Sequence, residues 1–304
     1  MQYQLTLLGT GAAMPTPLRY TSAQVLDTSR QVYLLDCGEG TQVRMQNFQV
    51  RMHAIRQIFI THLHGDHFFG LPGLLTSWAL AGRQKPVDIF SPPGLEEIID
   101  TTFRLASSHE LPFPLNFHVF DPEQRVVIFE DDIFIVSTLP LLHRVPTAGF
   151  LFEEKPRPKN IIADQIAAYQ IPFEDIPGIK AGADWQAPDG KTIPNEALTL
   201  PPEPLKKFAY CTDTAYSESL ASWIQGVDVL YHEATFLEQE WARAAETGHS
   251  TVRQAAAIAL AAGAKKLIIG HYSSRYRDLW AFLAEGREIF PRLELGYDGM
   301  QVHF

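Results

Sequence analysis

Short apolar runs and longer amphipathic segments alternate along this chain. Runs rich in Val, Ile, Leu and Phe predict strands at residues 5–8, 22–27, 32–35, 57–60, 87–89, 126–129, 133–137, 208–211, 227–231 and 266–269. Apolar residues at helical spacing predict helices at residues 41–49, 74–81, 95–106, 252–262 and 279–289. Because strands and helices are interspersed, we expect an α/β domain with sheets inside and helices outside.

One stretch interrupts this pattern. Residues 155–205 contain nine prolines and many short polar turns, with a single helical candidate at residues 161–169. Strand-like runs resume directly after it, so we interpret it as an arm inserted into the domain rather than as a linker. The predicted organisation is a single domain over residues 1–304 that carries an inserted arm at residues 155–205.

Length and composition fit a globular protein of this kind. The chain has 304 residues, 46% of them hydrophobic and 20% charged, and no apolar run reaches the roughly 18 residues that a membrane span requires. The N-terminus has neither the basic start nor the apolar core of a secretory signal, and two cysteines, Cys37 and Cys211, are too few for a disulfide framework. We therefore expect a cytoplasmic protein with reduced thiols and no membrane contact.

The net charge of −10 is a weaker constraint. An acidic chain repels a polyanion at long range, so the charge argues against nucleic acid as a partner. It does not decide the matter, because affinity depends on local lysine and arginine patches and on bound cations.

A glycine-rich segment at residues 9–13 follows the first predicted strand. Such a turn binds a dinucleotide only where it opens a helix, whereas Pro15 and Pro17 follow here and the next segment alternates like a strand. The sequence therefore excludes a dinucleotide-binding unit at this position.

The strongest chemical signal is the segment that reads Thr-His-Leu-His-Gly-Asp-His at residues 61–67, directly after a predicted strand. Three imidazoles and a carboxylate within six positions need a cation to organise them, and zinc takes imidazole and carboxylate ligands. In an extended segment His62 and His64 point the same way and can bind one ion. Asp66 and His67, beyond the glycine turn, can bind a second.

Three further polar side chains stand at or just beyond a predicted strand: His143, Asp213 and His271. Ligands in open α/β sheets gather at strand ends, so these side chains can converge on the first cluster. Taken one at a time, each is more readily explained as a capping aspartate or a core histidine. Taken together, they are better explained as metal ligands.

Other polar residues receive more ordinary interpretations. Asp36 and Glu39 flank a glycine in a strand-to-helix turn, and we expect their carboxylates to orient metal-ligating histidines rather than to bind the metal. Arg275 either contacts a substrate phosphate through a bidentate pair or forms a salt bridge that packs its loop. Four histidines have no motif around them and are interpreted as surface or core residues: His53, His109, His118 and His303.

The pattern His62-x-His64-x-Asp66-His67 resembles the signature of the metallo-β-lactamase fold, a four-layer αββα sandwich. Further stretches resemble the ribonuclease Z family: Asp-Cys-Gly-Glu-Gly-Thr at residues 36–41, His-Glu-Ala-Thr at 232–235, Gly-His-Ser-Thr at 248–251 and Gly-His-Tyr-Ser-Ser-Arg-Tyr at 270–276. The resemblance extends over most of the chain. It implies that one zinc ion is held by His62, His64 and His143, a second by Asp66, His67 and His271, and that Asp213 bridges the two.

The resemblance also implies an endoribonuclease that removes the 3′ trailer from precursor tRNA and forms a homodimer. Hydroxide would attack the phosphodiester in line, with Asp66 as the proton acceptor. The family's tRNA-binding arm corresponds to residues 155–205, which carry Lys155, Arg157 and Lys159 at their base. The early loop differs from the family's usual Pro-x-Lys-x-Arg-Asn, because residues 15–20 read Pro-Thr-Pro-Leu-Arg-Tyr.

His249 is the candidate for protonating the ribose 3′ oxygen that leaves. Thr251 and Gln254 resemble a capping box, which predicts that His249 lies at a helix N-terminus, where phosphate groups are favoured. The helix dipole would depress the pKa of this imidazole, and Glu233, in the His-Glu-Ala-Thr motif, is the carboxylate expected to oppose it. The alternative is that His249 only fastens the start of the helix to the core.

Two other functions compete with this hypothesis. A hydrolase of the same fold could act on a small ester, as a phosphodiesterase or sulfatase, and the acidic charge and the altered early loop favour this slightly. A binding module with vestigial metal sites is harder to reconcile with a complete set of seven candidate ligands.

Overall fold

The computed structural model describes residues 3–106 and 111–304. The chain divides into two compact units, the first comprising residues 1–153 and 207–304 and the second residues 154–206. The second unit exceeds the predicted arm by one residue at each end. None of the helices in the described ranges has the length and hydrophobicity needed to span a membrane.

The first unit contains two seven-stranded sheets, and the second unit contains one two-stranded sheet. The strands are β1 (Gln4–Gly9), β2 (Ala23–Asp27), β3 (Val32–Leu35), β4 (Ile55–Phe59), β5 (Val87–Ser91), β6 (Leu115–Val119), β7 (Val127–Glu130), β8 (Phe134–Leu141), β9 (Thr147–Glu154), β10 (Trp185–Gln186), β11 (Thr192–Ile193), β12 (Lys207–Cys211), β13 (Val229–Glu233), β14 (Leu267–Gly270), β15 (Leu293–Leu295) and β16 (Gln301–His303).

The helices of the first unit lie mostly between strands. The α-helices of the chain are α1 (Thr41–Asn47), α2 (Gly65–Phe68), α3 (Leu71–Leu80), α4 (Leu95–Ala106), α5 (Ala163–Ala168), α6 (Ile176–Lys180), α7 (Asn195–Leu198), α8 (Glu218–Trp223), α9 (Trp241–Thr247), α10 (Val252–Ala261) and α11 (Trp280–Ile289). Short 3-10 helices span Met52–Ala54, Phe173–Asp175 and Glu238–Glu240. The five main helices predicted from periodicity are confirmed as α1, α3, α4, α10 and α11, with ends within three residues of the prediction.

Each large sheet places the ends of several strands along one edge. The first sheet has the order β16-β1-β2-β3-β4-β5-β6 and the second the order β15-β14-β13-β12-β9-β8-β7. Strands β3 to β6 run parallel to one another in the first sheet, and strands β12 to β15 run parallel to one another in the second. Polar residues that follow these strands are therefore gathered at the carboxyl edge of each sheet.

Buried side chains form three layers of packing in the first unit. Aromatic residues from both sheets, including Tyr33, Phe134 and Phe152, pack in the space between the sheets. Apolar residues of α1, α3 and α4 cover the outer face of the first sheet, and those of α8, α10 and α11 cover the second. This arrangement confirms the predicted four-layer αββα sandwich.

The second unit has a small core of its own. Five side chains are buried in it: Ile171, Ile179, Trp185, Ile193 and Leu198. The Trp185 indole N–H donates to the Asp175 carboxylate at 2.8 Å, and the Asn195 amide donates to the carbonyl oxygens of Ile179 and Ala183 at 2.7 and 2.9 Å. The proline-rich segment is thus a folded unit in which the predicted helix at residues 161–169 is shortened to α5.

The predicted strand at residues 133–137 is wrong at its C-terminal end, because β8 continues through Pro140 to Leu141. Proline usually ends a strand, since it has no N–H to donate. Pairing with β7 stops at Ser137, so Pro140 lies beyond the last β7 partner and no bond of that ladder is lost. The following strand, β9, was not predicted at all.

Candidate metal centre

Seven histidine and aspartate side chains of the first unit converge beyond the ends of four strands. They are His62 and His64 after β4, Asp66 and His67 in α2, His143 after β8, Asp213 after β12 and His271 after β14. Their potential ligand atoms form two groups, each spanning no more than 4.8 Å: His62, His64, His143 and Asp213 in one, Asp66, His67 and His271 in the other. The structure therefore brings together all seven residues that the sequence singled out.

The first group has the dimensions of a tetrahedral zinc site. His64 Nδ1 lies 3.0 Å from His62 Nε2 and 3.2 Å from His143 Nε2. Asp213 Oδ2 lies 3.6 Å from the Nε2 atoms of His62 and His143. Zinc bonds of about 2.0–2.1 Å give a tetrahedron with edges of roughly 3.3 Å, so these separations suit one ion.

The second group uses the other oxygen of the same aspartate. Asp213 Oδ1 lies 3.3 Å from His67 Nε2 and 3.1 Å from His271 Nε2. Asp66 Oδ2 lies 3.6 and 3.5 Å from the same two nitrogens. Asp213 thus faces one group with each oxygen, which is the arrangement of a bridging ligand.

The electrostatics of the cluster also fit a cation. The Nε2 atoms of His67 and His271 are buried and form no hydrogen bond within the described part of the chain. Burial lowers the pKa of His62 and His143, which favours the neutral imidazoles that bind metals. Burial also opposes charge on His67, but the carboxylates around it, led by Asp213, raise its pKa well above the usual range. A site that stabilises positive charge so strongly is suited to a metal ion.

Hydrogen bonds fix the direction of the ligands. The Asp36 carboxylate accepts from His67 Nδ1 at 2.7 Å and from the Tyr210 hydroxyl at 2.8 Å, which directs His67 Nε2 toward the metal group. The orienting role predicted for Asp36 is therefore present. The same prediction for Glu39 is wrong, because its side chain is exposed and lines the surface pocket instead.

The opposite side of the cluster depends on a glycine. His143 Nδ1 donates to the Gly248 carbonyl oxygen at 2.7 Å, which leaves Nε2 for the metal group. Gly248 has φ of 71°, and a Cβ there would lie 3.0 Å from His143 Nδ1. Both the backbone conformation and the close approach require glycine at this position.

Three non-glycine residues at the site have left-handed backbone conformations. Their φ angles are 53° for Asp36, 58° for His271 and 65° for Ala13. The unusual conformation of Ala13 accompanies a hydrogen bond from its backbone N–H to Asp66 Oδ2 at 2.7 Å. Such strain persists where surrounding contacts impose it, and here it orients groups of the candidate metal centre.

Glu233 and His249 form an ion pair beside the candidate metal ligands. Glu233 is fully buried, and its Oε1 accepts from His249 Nδ1 at 2.8 Å. Burial disfavours the charged imidazole, but the Glu233 carboxylate raises the pKa of His249 to about 9. His249 also lies within 4.8 Å of potential ligand atoms of Asp213 and His271. The predicted capping box of Thr251 and Gln254 at the start of α10 is confirmed.

A surface pocket of about 600 Å³ opens over these residues. Its lining includes Asp66, His249, His271, Phe69, Arg243 and Arg275. Sequence analysis missed Phe69 and Arg243, since a lone aromatic or arginine carries no motif. The position of Phe69 just after the histidine segment was the only signal that could have identified it.

The candidate phosphate-binding residues have partners within their own units. Arg275 pairs with Glu240 at 3.2 Å and lies over the Phe236 ring. Lys159 Nζ donates to Asn195 Oδ1 at 2.7 Å. Arg157 forms an ion pair with Glu154, and Lys155 lies in the same unit. Arg275 thus satisfies the salt-bridge interpretation, which leaves its phosphate contact a prediction.

Among the histidines without a motif, His53, His118 and His303 are exposed, and His118 pairs with Asp88 at 3.2 Å. This agrees with their interpretation as surface residues. His109 lies outside the described residues.

Comparison with known proteins identifies relatives over the whole chain. Family models match at residues 3–145, described as Anti-Pycsar protein Apyc1, and at residues 187–272, described as the beta-lactamase superfamily domain. The chain is 42% identical over 301 residues to ribonuclease Z of Bacteroides fragilis, covering 99% of both chains. It is 43% identical to ribonuclease Z of Cyanothece sp., covering 97% of this chain and 93% of that protein.

Solved structures give the same result. The human short form of tRNase Z superposes with a TM-score of 0.72 and 30% identity, covering 98% of each chain. The protein YhfI from Bacillus subtilis, a metallo-beta-lactamase fold protein, has a TM-score of 0.71 at 15% identity, which shows the fold alone. The sandwich and its strand-end cluster define a protein of the metallo-β-lactamase fold. Within that fold, the chain belongs to the ribonuclease Z family.

Proposed function

We propose that this chain is a zinc-dependent endoribonuclease that removes the 3′ trailer from precursor tRNA. The observation that carries the proposal is the geometry of the site: two groups of potential ligands share Asp213, and the Glu233–His249 pair lies beside them. The family to which the chain belongs supports the choice of a tRNA precursor as substrate.

Two zinc ions per chain would be held by the two groups. One would be held by His62, His64 and His143, the other by Asp66, His67 and His271, with Asp213 shared. When bound, the ions stabilise negative charge on the phosphate and lower the pKa of water toward neutrality. A set of imidazole and carboxylate donors suits zinc, and the buried Cys37 and Cys211 take no part in it.

Asp66 accepts the proton of the attacking water. Burial disfavours a charged carboxylate, but the neighbouring imidazoles, His67 first and His271 next, hold the pKa of Asp66 below its usual range. The carboxylate is therefore ionised at neutral pH. The hydrogen bond from the Ala13 backbone N–H fixes its orientation.

His249 protonates the leaving 3′ oxygen of the tRNA. As the new bond from water oxygen to phosphorus forms, the bond from phosphorus to the ribose 3′ oxygen breaks, and that oxygen takes the proton from His249. With its pKa raised by Glu233, the imidazole carries this proton at neutral pH. The trailer leaves with a 5′ phosphate, and the tRNA keeps a 3′ hydroxyl.

Phosphate contacts away from the cleaved bond are assigned to Arg275, Lys155, Arg157 and Lys159. The Arg275–Glu240 pair lies at the surface, where ion pairs contribute little, so a phosphate can replace the glutamate at small cost. Between residues 155 and 205 there are five basic and seven acidic residues. The three basic residues at the base of the arm are therefore its main candidates for binding RNA.

The proposal includes a homodimer that acts in the cytoplasm. The dimer is what the family resemblance implies. A reducing compartment agrees with two buried cysteines that form no disulfide. Sedimentation or light scattering of the purified protein tests the oligomeric state directly.

The direct test compares two substrates with one preparation. Zinc-loaded protein is incubated with a precursor tRNA that carries a 3′ trailer and, separately, with bis-p-nitrophenyl phosphate. We expect cleavage immediately after the discriminator nucleotide. Turnover of the small ester without cleavage of the precursor would contradict the proposal and favour a small-ester phosphodiesterase.

A further inference from the structure

Phe69 presents an exposed aromatic ring at the candidate active site. It directly follows α2, which carries Asp66 and His67, and it lines the same pocket as His249. Phe69 is 64% exposed, whereas its neighbour Phe68 is only 3% exposed. A phenyl ring left in water forgoes the stabilisation of burial, so its place at the mouth of a reaction pocket suggests that a ligand covers it.

The ring is held in a defined position. A Cβ atom at position 65 would collide with the Phe69 ring, so one side of the ring packs directly against the Gly65 backbone. The Phe68 ring meets it edge-on, with centroids 4.8 Å apart and planes at 67°. The Phe69 backbone N–H also donates to the Gly65 carbonyl oxygen at 2.9 Å. The ring is therefore a fixed platform rather than a loose surface side chain.

The rim around this platform suits a flat, largely apolar group attached to a phosphate. Ala12, Ala13, Met14 and Pro15 of the early loop line the same pocket, and Met14 is 57% exposed. The cationic side chains of Arg243 and Arg275 line it as well. A nucleobase has both the planar face and the neighbouring phosphates that such a rim would accept.

We infer that Phe69 stacks against the base of the first trailer nucleotide, directly 3′ of the cleaved bond. This inference rests on the proposed endoribonuclease activity. His249 donates to the leaving 3′ oxygen, so the last nucleotide of the tRNA lies on the His249 side. Phe69 is attached to the turn that carries Asp66, which receives the proton from water. In an in-line displacement the attacking water and the leaving 3′ oxygen lie opposite each other, so the tRNA nucleotide extends away from the Asp66 side. The 5′ oxygen of the trailer is equatorial, between these two sides, and its nucleotide is therefore the one that can reach Phe69.

Stacking also predicts how specificity behaves. Every base has a π-face, so contact with Phe69 tolerates any base at the first trailer position. Removing the ring should therefore lower kcat/KM for precursors with A, C, G or U at the first trailer position alike.

A double-mutant cycle tests the contact. Phe69→Ala and the unaltered protein are each assayed on precursor tRNA with either a normal or an abasic first trailer nucleotide. We expect Phe69→Ala to lower kcat/KM about 5- to 140-fold on the normal substrate, the usual range for loss of one stacked base. On the abasic substrate, Phe69→Ala should cause no further loss, because the two changes remove the same interaction.

Matched variants separate stacking from other effects. Phe69→Tyr keeps the aromatic face and should retain activity, and Trp280→Ala removes another exposed aromatic side chain, 69% exposed, that does not line the pocket. Turnover of methyl p-nitrophenyl phosphate and zinc content should stay within about twofold in Phe69→Ala. The inference would be overturned if Phe69→Ala and the abasic trailer nucleotide lowered kcat/KM independently. It would also be overturned if the effect of Phe69→Ala disappeared with an abasic discriminator nucleotide instead.

Fluorescence gives a measurement that does not depend on cleavage. A 2-aminopurine at the first trailer position should be quenched on binding to the unaltered protein and much less on binding to Phe69→Ala. Quenching without cleavage by the unaltered protein would overturn the proposed function and leave the stacking in place. Cleavage without coupling or quenching would overturn the stacking alone.

Discussion

The two carboxylate oxygens of Asp213 each face a different group of candidate metal ligands. Its Oδ2 faces His62 and His143, and its Oδ1 faces His67 and His271, at separations between 3.1 and 3.6 Å. Removing this side chain takes one ligand from each group at once. The two candidate metal positions are therefore linked through one residue.

We predict that Asp213→Ala lowers zinc occupancy at both positions, because a bridging carboxylate serves both. Elemental analysis after dialysis measures the change from about two zinc ions per chain. Asp228→Ala, which removes another buried carboxylate of the first unit, should keep both ions. An Asp213→Ala protein with two tightly bound zinc ions would exclude Asp213 from the bridge.

A second residue-scale prediction concerns the leaving group. His249→Ala should keep both zinc ions and near-normal substrate affinity, while kcat on precursor tRNA falls about 100-fold or more, since only the transition state needs the proton. The loss should be much smaller on bis-p-nitrophenyl phosphate, because p-nitrophenolate leaves without a proton. Equal losses on both substrates would make His249 a structural residue.

The pH dependence of the same pair has a defined sign. The proposed mechanism requires the protonated imidazole, so activity should fall as pH rises through the pKa of His249, which Glu233 raises to about 9. Glu233→Gln removes the carboxylate and should shift the alkaline limb of the kcat profile to lower pH. If the alkaline limb of the kcat profile stays at the same pH in Glu233→Gln, that limb reports the titration of another group.

At this scale, the sequence identifies the candidate metal ligands better than the residues that orient them. The four ligands of residues 62–67 are close in sequence, and the other three stand at strand ends. The Tyr210 hydroxyl reaches Asp36 across 174 positions, and no local pattern announces such a contact. The prediction for Glu39 was wrong because only one of the two carboxylates of this turn is buried: Asp36 lies inside, whereas Glu39 is exposed.

At the scale of elements, the start of α10 supports the position of His249. The Thr251 side chain accepts from the Gln254 backbone N–H, and the Gln254 side chain accepts from the Thr251 backbone N–H. His249 precedes the cap by two residues, and its own backbone N–H donates to the Ala244 carbonyl oxygen at 2.8 Å. The helix start and the end of α9 therefore fix this histidine together.

We predict that Thr251→Ala lowers the free energy of unfolding by about 1 kcal/mol, the usual loss for an N-cap. Urea denaturation of the zinc-loaded protein measures it. Thr251→Ser keeps the accepting oxygen and is the matched control. A Thr251→Ala protein as stable as its Ser counterpart would show that the capping hydrogen bond contributes little here.

The main helices were predicted from their periodicity, whereas one long strand of the second sheet was not predicted. Helices α4 and α10 begin at the residues expected, because both have an amphipathic pattern and a capping box marks the start of α10. Strand β9 is buried along most of its length, but it was missed because its sequence begins with Thr-Ala-Gly and ends with two glutamates. The pairing that turns such a segment into a strand comes from distant neighbours in the sheet.

At the scale of the whole molecule, an acidic chain must bind RNA through a few local contacts. The net charge is −10, and the arm itself has more acidic than basic residues. The predicted binding therefore depends on phosphate contacts that release counterions.

Triple replacement of Lys155, Arg157 and Lys159 by glutamine should weaken tRNA binding and cleavage. The slope of log affinity against log salt concentration should become shallower by about two to three units, one for each lost phosphate contact. An unchanged slope would exclude these residues from RNA binding.

The two ends of the second unit lie close together. The Glu154 backbone N–H donates to the Lys206 carbonyl oxygen at 2.9 Å, so a short Gly-Ser linker can replace residues 156–204. We predict that this deletion abolishes cleavage of precursor tRNA and leaves hydrolysis of bis-p-nitrophenyl phosphate nearly intact. Equal loss of both activities would mean that the arm is needed for the fold of the first unit.

Analysis of the product ends tests the central claim most directly. Zinc-loaded protein is incubated with a precursor tRNA of known sequence, and both fragments are sequenced and their termini identified. Our account predicts a single cut after the discriminator nucleotide, with a 3′ hydroxyl on the tRNA and a 5′ phosphate on the trailer. A 2′,3′-cyclic phosphate on the tRNA, or cuts scattered along the trailer, would contradict it.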